Sequence, residues 1–231
     1  TSLMLQIAFE FARRAPGVFY SLEMDETALM QRVIAQETGI STDAQRDMTD
    51  GQWRAFHDWF TSENVMRPIL FDKDRAATAG LIAAKLRAHR RRYGIEWAVI
   101  DYLQLMGADA GRRGGNRNNE IDDMLRTLKL AAMELRIRLV VGSQFSREFI
   151  RAGRKPMLQD LRDSGSIEQQ ADKVVLIHNE GGYTTEALAA NSRRELIVAA
   201  HRNGPIGEVG VTWLAQRMRF VSLARTERAA K

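Results

Sequence analysis

Apolar positions alternate between helix-like and strand-like spacing up to residue 142. Five segments carry apolar residues at every third or fourth position, which indicates helices: residues 1–14, 26–38, 49–62, 78–93 and 121–135. Short apolar runs between them indicate buried strands: residues 18–20, 69–71, 97–100 and 139–142. This alternation predicts an α/β fold with a mostly parallel sheet flanked by helices on both faces.

The pattern changes after residue 142. Residues 145–166 are predicted to form a polar loop, and the Gly-, Arg- and Asn-rich residues 107–119 a mobile loop. Tight-turn sequences such as Asn203-Gly204-Pro205 predict an antiparallel C-terminal extension. Its four predicted strands are residues 174–177, 196–199, 209–213 and 220–223. We expect one domain over residues 1–225 and a disordered tail over residues 226–231.

Composition narrows the class of protein. The 231 residues are 45% hydrophobic and 27% charged, which fits one large globular domain. The absence of cysteine excludes disulfides and thiolate metal sites, and the four histidines form no ligand pair at helical spacing. No apolar run reaches the roughly 18 residues of a membrane span, so we expect a soluble cytoplasmic protein with no membrane partner. The net charge of +5 permits a polyanionic partner without requiring one.

Polar residues follow three of the predicted parallel strands. Asp101 ends one strand, Glu23 lies just past another, and Gln144 follows a third. The carboxyl ends of parallel strands meet at one edge, where open α/β sheets bind ligands. There, one carboxylate can hold nucleotide-bound Mg²⁺, another can activate water, and an amide can sense phosphate. Taken singly, Asp101 also fits a turn or cap, Glu23 a helix cap, and Gln144 a loop residue.

Arginines mark candidate contacts with phosphate groups. Arg162 lies in the segment QDLRDSGS, where Gly165 permits unusual backbone angles, and phosphate binding and a structural role are equally compatible with it. The basic run over residues 85–92 is typical of a solvated helix face. Arg202 follows a strand and precedes a tight turn, where an arginine can reach a neighbouring subunit. Spacing alone favours a surface residue beside a hairpin.

Five segments occur together in a fixed order: FYSLEM, AVIDYLQLM, VVGSQFSRE, QDLRDSGSIEQQAD and HRNGPIG. By these segments, the chain resembles the C-terminal ATPase domain of DnaB-type replicative DNA helicases, from Thr1 to about Phe220. The resemblance implies a RecA-like P-loop NTPase core. It further implies a homohexamer that hydrolyses ATP with Mg²⁺ between its subunits and moves 5′ to 3′ along single-stranded DNA.

The resemblance assigns roles around the nucleotide. Asp101 matches the Walker B aspartate, Glu23 the glutamate that activates water, and Gln144 the glutamine that senses phosphate. Thr1 matches the last residue of the phosphate loop, which ligates Mg²⁺ together with the Walker B site. Arg32 matches an arginine near the bound nucleotide.

A second set of matches concerns DNA and neighbouring protomers. Arg162, Asp163 and Gly165 match the loop that lines the central channel and holds single-stranded DNA by its backbone. Arg202 matches the arginine finger that reaches into the next subunit's site. The family also implies contacts with primase and a helicase loader, through regions partly absent from this sequence.

The sequence departs from the family pattern in two places. Only Thr1 represents the phosphate loop G-x-x-x-x-G-K-[ST], so we interpret the chain as truncated there and expect poor ATP binding. Ala200 stands where the family usually has a lysine, two residues before the finger arginine. Two alternatives to a helicase motor stay open: a RecA-class ATPase that binds DNA without unwinding it, and a non-catalytic remnant or assembly module.

Overall fold

The structure, a computed structural model, describes residues 1–62, 68–74, 77–107, 117–162 and 164–223. Eight α-helices lie within these ranges: α1 (Ser2–Ala12), α2 (Glu26–Thr38), α3 (Asp50–Phe60), α4 (Ala79–Tyr93), α5 (Arg117–Leu135), α6 (Arg147–Ala152), α7 (Ser164–Gln170) and α8 (Thr185–Ala189). Eight strands accompany them: β1 (Gly17–Ser21), β2 (Ile69–Asp72), β3 (Trp97–Asp101), β4 (Arg138–Val141), β5 (Lys173–Asn179), β6 (Ser192–His201), β7 (Gly207–Leu214) and β8 (Arg219–Ser222).

The first four strands form a parallel sheet in the order β2-β1-β3-β4. Every residue of β1 and β3 is buried, as expected for central strands that helices cover on both faces. The register pairs Gly17 with Trp97 where the strands begin and Ser21 with Asp101 where they end. We call these two ends of the sheet the amino edge and the carboxyl edge.

Alternation along β1 supplies the two faces of this sheet with separate apolar cores. Phe19 packs on one face in a cluster with Leu5 of α1 and Trp97. Tyr20 packs on the other face in a cluster with Leu86 of α4 and Leu128 of α5. The predicted parallel sheet with helices on both faces is therefore confirmed.

Local signals fix the ends of the longer helices. The Asp25 carboxylate accepts a hydrogen bond from the Ala28 N–H at 2.8 Å and caps the start of α2. Gly39 ends α2 and Gly94 ends α4, both with left-handed backbones at φ 79° and 66°. Glycine adopts this conformation at little cost, which confirms both predicted helix ends.

The last four strands form a second, antiparallel sheet in the order β5-β6-β7-β8, as predicted. One face of it, including Leu176 and Ile197, joins the core on the Tyr20 side of the parallel sheet. Its last strand meets α1, where the Gln6 side chain exchanges two hydrogen bonds with the Phe220 backbone, at 2.9 and 2.7 Å. The antiparallel extension thus packs against the parallel layer.

Two loop predictions were wrong in part. Residues 145–166 contain α6 and the start of α7, because Ser146 caps α6 by accepting from the Phe149 N–H at 3.2 Å and Phe149 is buried. Within the predicted loop 107–119, α5 already begins at Arg117. Residues 108–116 and the predicted tail lie outside the described residues. Among the described helices, none is long and apolar enough to cross a membrane.

Candidate functional site

The carboxyl edge brings three strand ends into alignment. Ser21 of β1 pairs with Asp101 of β3, and Ile100 pairs with Val141 of β4. The chain stays tied across the edge just beyond the strands, because the Leu22 N–H donates to the Asp101 carbonyl at 3.0 Å. The polar residues that follow β1, β3 and β4 therefore emerge side by side, as their positions in the sequence predicted.

Asp101 forms the buried centre of this edge. Its carboxylate accepts a 2.5 Å hydrogen bond from the Thr1 hydroxyl, and both side chains are 4% exposed. The Thr1 amino nitrogen lies 3.8 Å from the same carboxylate oxygen. Burial lowers the pKa of this amino group, while the charges of Asp101 and Glu23 raise it and that of Arg32 lowers it. These four residues thus share one electrostatic neighbourhood.

Glu23 lies in a turn just beyond β1. The Ser21 hydroxyl donates to the Met24 carbonyl at 2.8 Å and closes this turn. The Glu23 side chain is exposed, and the cap of the following helix is supplied by Asp25. A helix-capping role for Glu23 therefore does not explain its position, and its carboxylate is free to meet a ligand at the edge.

Arg32 reaches the same neighbourhood from the middle of α2. The helix is held by buried Leu29 and Val33 on its inner side, and Arg32 between them is half-buried. Gln36, one turn further on, is buried and donates to the carbonyls of Ser2 and Met218, at 3.0 and 2.8 Å. These contacts fix the orientation of α2 against the start of α1.

Gln144 follows β4 on the third strand end, and its side chain is exposed. Its backbone N–H donates to the Gln104 side-chain oxygen at 3.3 Å, and the Gln104 amide donates to the Ser143 hydroxyl at 2.9 Å. Gln104 thus links the turn after β3 to the turn after β4. The sequence reading missed this residue, because nothing in the spacing of YLQLM separates a bridging glutamine from a solvated one.

The segment with Arg162 begins directly beside Gln144. The Arg162 N–H donates to the Gln144 carbonyl at 3.0 Å, and Phe145 and Leu161 form an isolated antiparallel bridge. The Arg162 side chain is exposed. Gly165 lies in the first turn of α7, where a side chain would meet open space. Asp163 lies outside the described residues.

An ion pair between the exposed Arg154 and the buried Asp160 holds the base of this segment. Arg154 donates to both oxygens of Asp160 at 2.7 and 2.6 Å, and the Met157 N–H donates to the same carboxylate at 2.7 Å. The hydrogen bonds from Arg154 lower the pKa of Asp160, against the opposing effect of burial. These contacts hold the backbone in place two residues before Arg162.

Arg202 contacts residues at and just after the end of α7. Its backbone N–H donates to the Asp172 carbonyl at 2.9 Å, and its guanidinium donates to the Gln169 carbonyl at the end of α7. The Asp172 carboxylate lies 3.9 Å from the same guanidinium, whose side chain is half exposed. Within a single chain, this arginine is held against α7 and meets solvent on its other side.

The candidate metal ligands among the described residues of the carboxyl edge are oxygen donors. Thr1 and Asp101 offer a hydroxyl and a carboxylate in contact, which suits a hard cation such as Mg²⁺. Over the described part of the chain, no group of three or more His, Cys, Asp or Glu residues is placed to hold a metal by itself. A cation here would need further oxygens from a ligand or water.

The sequence model of the DnaB-like helicase C terminal domain family matches residues 1–222. The chain belongs to this family. The replicative DNA helicase DnaB of Leifsonia xyli subsp. xyli (strain CTCB07) is 36% identical over 230 residues, which cover 94% of this chain and 49% of the relative. The replicative DNA helicase DnaC of Bacillus subtilis (strain 168) is 33% identical over 97% of this chain and 50% of its own length. The chain thus spans about half the length of these relatives.

Solved structures of the family share the fold. One solved ATPase domain superimposes with a TM-score of 0.84 and 28% identity, over 96% of this chain and 80% of that one. A DnaB-like replicative helicase, described with its interactions with primase, gives a TM-score of 0.84 and 27% identity, over 97% and 54%. The predicted resemblance and the RecA-like fold of this DnaB-family domain are therefore confirmed.

Proposed function

We propose that this DnaB-family domain is the motor of a cytoplasmic replicative DNA helicase, which hydrolyses ATP at subunit interfaces to translocate 5′ to 3′ on single-stranded DNA. The observation that carries the proposal is the buried hydrogen bond from the Thr1 hydroxyl to the Asp101 carboxylate at the carboxyl edge, beside the turn that carries Glu23. Carboxylates and a hydroxyl at the carboxyl ends of parallel strands suit a nucleotide with its bound cation.

The residues present fit a nucleotide-bound Mg²⁺. Thr1 and Asp101 would hold the ion, which would neutralise charge on the phosphates. Glu23, exposed beside them, would orient and deprotonate the attacking water. Arg32 would contact the nucleotide, and Gln144 would register the state of its phosphate. The glycines and lysine of a phosphate loop are absent from the printed sequence, so tight ATP binding requires that they precede Thr1.

DNA and the neighbouring protomer complete the proposal. Arg162, with Asp163 and Gly165, would grip the backbone of single-stranded DNA, since the Arg162 side chain is exposed above a fixed base. Arg202 would act as the arginine finger in a homohexamer, which requires it to exchange its contacts with α7 for a phosphate of the next subunit. Primase and a helicase loader are proposed as further partners of the intact protein.

The test compares the 231-residue chain with an extended protein, in which a strand and a phosphate loop of the pattern G-x-x-x-x-G-K-[ST] are added so that Thr1 is the last residue of the loop. We expect the extended protein to hydrolyse ATP and unwind a forked duplex. Changing Glu23→Gln should abolish turnover while ATP binding persists, because only the base is lost. The matched control is Glu26→Gln, an exposed carboxylate three residues away that pairs with Lys73 at 3.0 Å and should not matter.

The same assays separate the alternatives. Full turnover by the Glu23→Gln variant would remove this residue from the mechanism. Hydrolysis without unwinding of the forked duplex would instead identify a RecA-class ATPase. Failure of the extended protein to bind ATP at all would support a non-catalytic remnant, an outcome that the alanine at position 200 also favours.

A further inference from the structure

The amino edge of the parallel sheet, opposite the candidate nucleotide site, gathers arginines from three separate elements. Arg13 and Arg14 follow α1, Arg91 and Arg92 lie in the last turn of α4, and Arg136 joins α5 to β4. These elements are far apart in the sequence, so their meeting is a property of the fold. The basic run of α4, taken alone, indicated only a solvated helix face.

A short series of hydrogen bonds brings these segments together at the start of β3. The Pro16 carbonyl accepts from the Glu96 N–H at 2.8 Å, and the Glu96 carbonyl accepts from the Arg138 N–H at 2.9 Å. From α4, the Arg90 guanidinium donates to the Ile95 carbonyl at 2.7 Å. The ends of α1, α4 and α5 therefore meet around the same short turn.

Several of these guanidinium groups are available to a ligand. Arg14, Arg91 and Arg136 are exposed, and none of them forms an ion pair with the described part of the chain. An exposed, unpaired guanidinium presents a planar set of donors that matches phosphate oxygens. Three of them at one edge make a positive surface that intramolecular pairing does not neutralise.

Two acidic residues at this edge, Glu10 and Glu96, do not neutralise its positive charge. Glu10 lies 3.5 Å from Arg13, and Glu96 lies 4.0 Å from Arg138. All four side chains are more than half exposed, so these pairs are weak and easily exchanged for another anion. Neither pair involves Arg14, Arg91 or Arg136.

An aromatic ring lies within the same surface. Tyr93, the last residue of α4, is 42% exposed, and the Arg92 guanidinium lies 5.1 Å from the centre of its ring. Single-stranded nucleic acids bind where aromatic faces for the bases accompany cations for the phosphates. The combination favours a nucleic acid over a small inorganic anion.

Arg136 has a backbone conformation that is unfavourable for a residue with a long side chain. Its φ is 53°, in the left-handed region, directly after the last residue of α5. Glycine or asparagine is the usual occupant of such a helix end, because a larger side chain is strained there. In this chain the position instead carries a long cation, which a purely structural role does not require.

We propose that the amino edge is a binding surface for the phosphate backbone of single-stranded DNA, separate from the segment that carries Arg162. This inference goes beyond the proposed motor function, since it requires neither nucleotide nor a second subunit. It predicts that the 231-residue chain, which lacks a phosphate loop, binds single-stranded DNA through this edge.

The test measures fluorescence anisotropy of a labelled oligothymidylate of about 20 nucleotides at several salt concentrations. The variant Arg14→Gln, Arg91→Gln, Arg92→Gln should lose affinity on the order of tenfold at low salt. It should also reduce the slope of log affinity against log salt by about 2, since each lost phosphate contact removes about 0.7. An unchanged affinity and slope would overturn the proposal.

A matched variant controls for net charge. Arg46→Gln, Arg54→Gln, Arg217→Gln removes three exposed arginines that belong to none of the elements at the amino edge. We expect it to bind the oligothymidylate nearly as the parent chain does. An equal loss in both triple variants would show that only overall charge matters, and would also overturn the proposal.

Two single variants sharpen the result. Arg136→Asn should leave the thermal unfolding midpoint unchanged or raise it, because strain is relieved, yet weaken DNA binding. Weaker binding without a lower midpoint separates a binding role from a structural one, and unchanged binding contradicts the role of Arg136. Arg162→Ala tests the proposed motor function independently. Should Arg162→Ala weaken binding while the amino-edge triple does not, the motor proposal would stand and this inference would fall.

Discussion

The two edges of the parallel sheet differ in the burial of their charged groups: those at the carboxyl edge include a buried carboxylate, and those at the amino edge are exposed arginines. At the carboxyl edge, Asp101 is almost fully buried and bonded to Thr1, so each charge there acts strongly over a short range. At the amino edge, Arg14, Arg91 and Arg136 are exposed and unpaired within the described chain, so their effect is additive and screened by salt. The comparison predicts that single substitutions matter at the first edge and only groups of substitutions at the second.

The largest expected effect comes from Asp101→Asn in the extended protein. Loss of one buried charge should reduce ATP turnover on the order of a thousandfold, because the cation loses its carboxylate. Steady-state hydrolysis measures this. The printed chain with the same change should bind oligothymidylate normally, since its amino edge is untouched. Near-normal turnover would contradict the contrast between the edges.

A second prediction concerns packing at the amino edge. A side chain at Gly17 would collide with the Trp97 ring, and the Trp97 indole N–H donates to the Ala15 carbonyl at 2.9 Å. Gly17→Ala should therefore lower the free energy of unfolding by about 2–3 kcal/mol. Urea denaturation measures this. Gly51→Ala is the control, because nothing lies within 4 Å of its added carbon and alanine favours the helix.

A third prediction tests burial at the end of β2, again on the carboxyl edge. Lys85 donates to Asp72 at 2.9 Å and to Asp74 at 3.1 Å. Burial opposes its charge, but these hydrogen bonds raise the pKa of Lys85 above its ordinary value. Lys85→Met should cost about 1–2 kcal/mol of unfolding free energy, because two partly buried carboxylates lose a cation that donates hydrogen bonds to them.

The control for that prediction is an exposed lysine with a similar contact. Lys73 lies 3.0 Å from Glu26, and both side chains are more than 60% exposed. Lys73→Met should change the free energy of unfolding by only a few tenths of a kcal/mol, since water screens the pair. Equal losses of unfolding free energy in the Lys85→Met and Lys73→Met variants would contradict the idea that burial makes the Lys85 contacts more stabilising.

The smallest expected effect is the pH dependence of stability from His89, between Lys85 and Tyr93 on α4. Burial lowers its pKa, and its Nε2 is buried with no hydrogen-bond partner among the described residues. Because the unfolded chain binds this proton more readily, stability should decline as pH falls below about 6.5. His89→Gln should flatten that decline, as measured by urea midpoints at several pH values. His57, whose side chain is 73% exposed, provides the control.

Several elements followed directly from the sequence. The helices predicted over residues 26–38 and 78–93 end at Gly39 and Gly94, because glycine adopts the left-handed backbone cheaply. Asp101 and Glu23 follow apolar runs, and parallel strands bring such positions to one edge. The segment 145–166 was misjudged, because a helix of six residues around one buried side chain, Phe149, gives too little periodicity to recognise.

The assignments of function to individual residues remain predictions. The structure gives Gln144 neighbours that the sequence did not suggest, above all Gln104 from a different strand end. It also shows the half-exposed Arg202 held against α7, a contact that the spacing did not suggest. Contacts of this kind depend on side chains from remote segments, which local spacing does not encode.

By itself, the sequence determined the alternation of strands and helices up to residue 142 and the family, because periodicity and short motifs are local. It also predicts the carboxyl edge as the site of chemistry. Only the tertiary structure decided which remote residues meet. It joined Thr1 to Asp101 across 100 positions, and it brought the segments that follow α1, α4 and α5 together at the start of β3. The physical reason is that burial and electrostatic fields depend on distances in space, which the folded sheet fixes and the spacing along the chain does not.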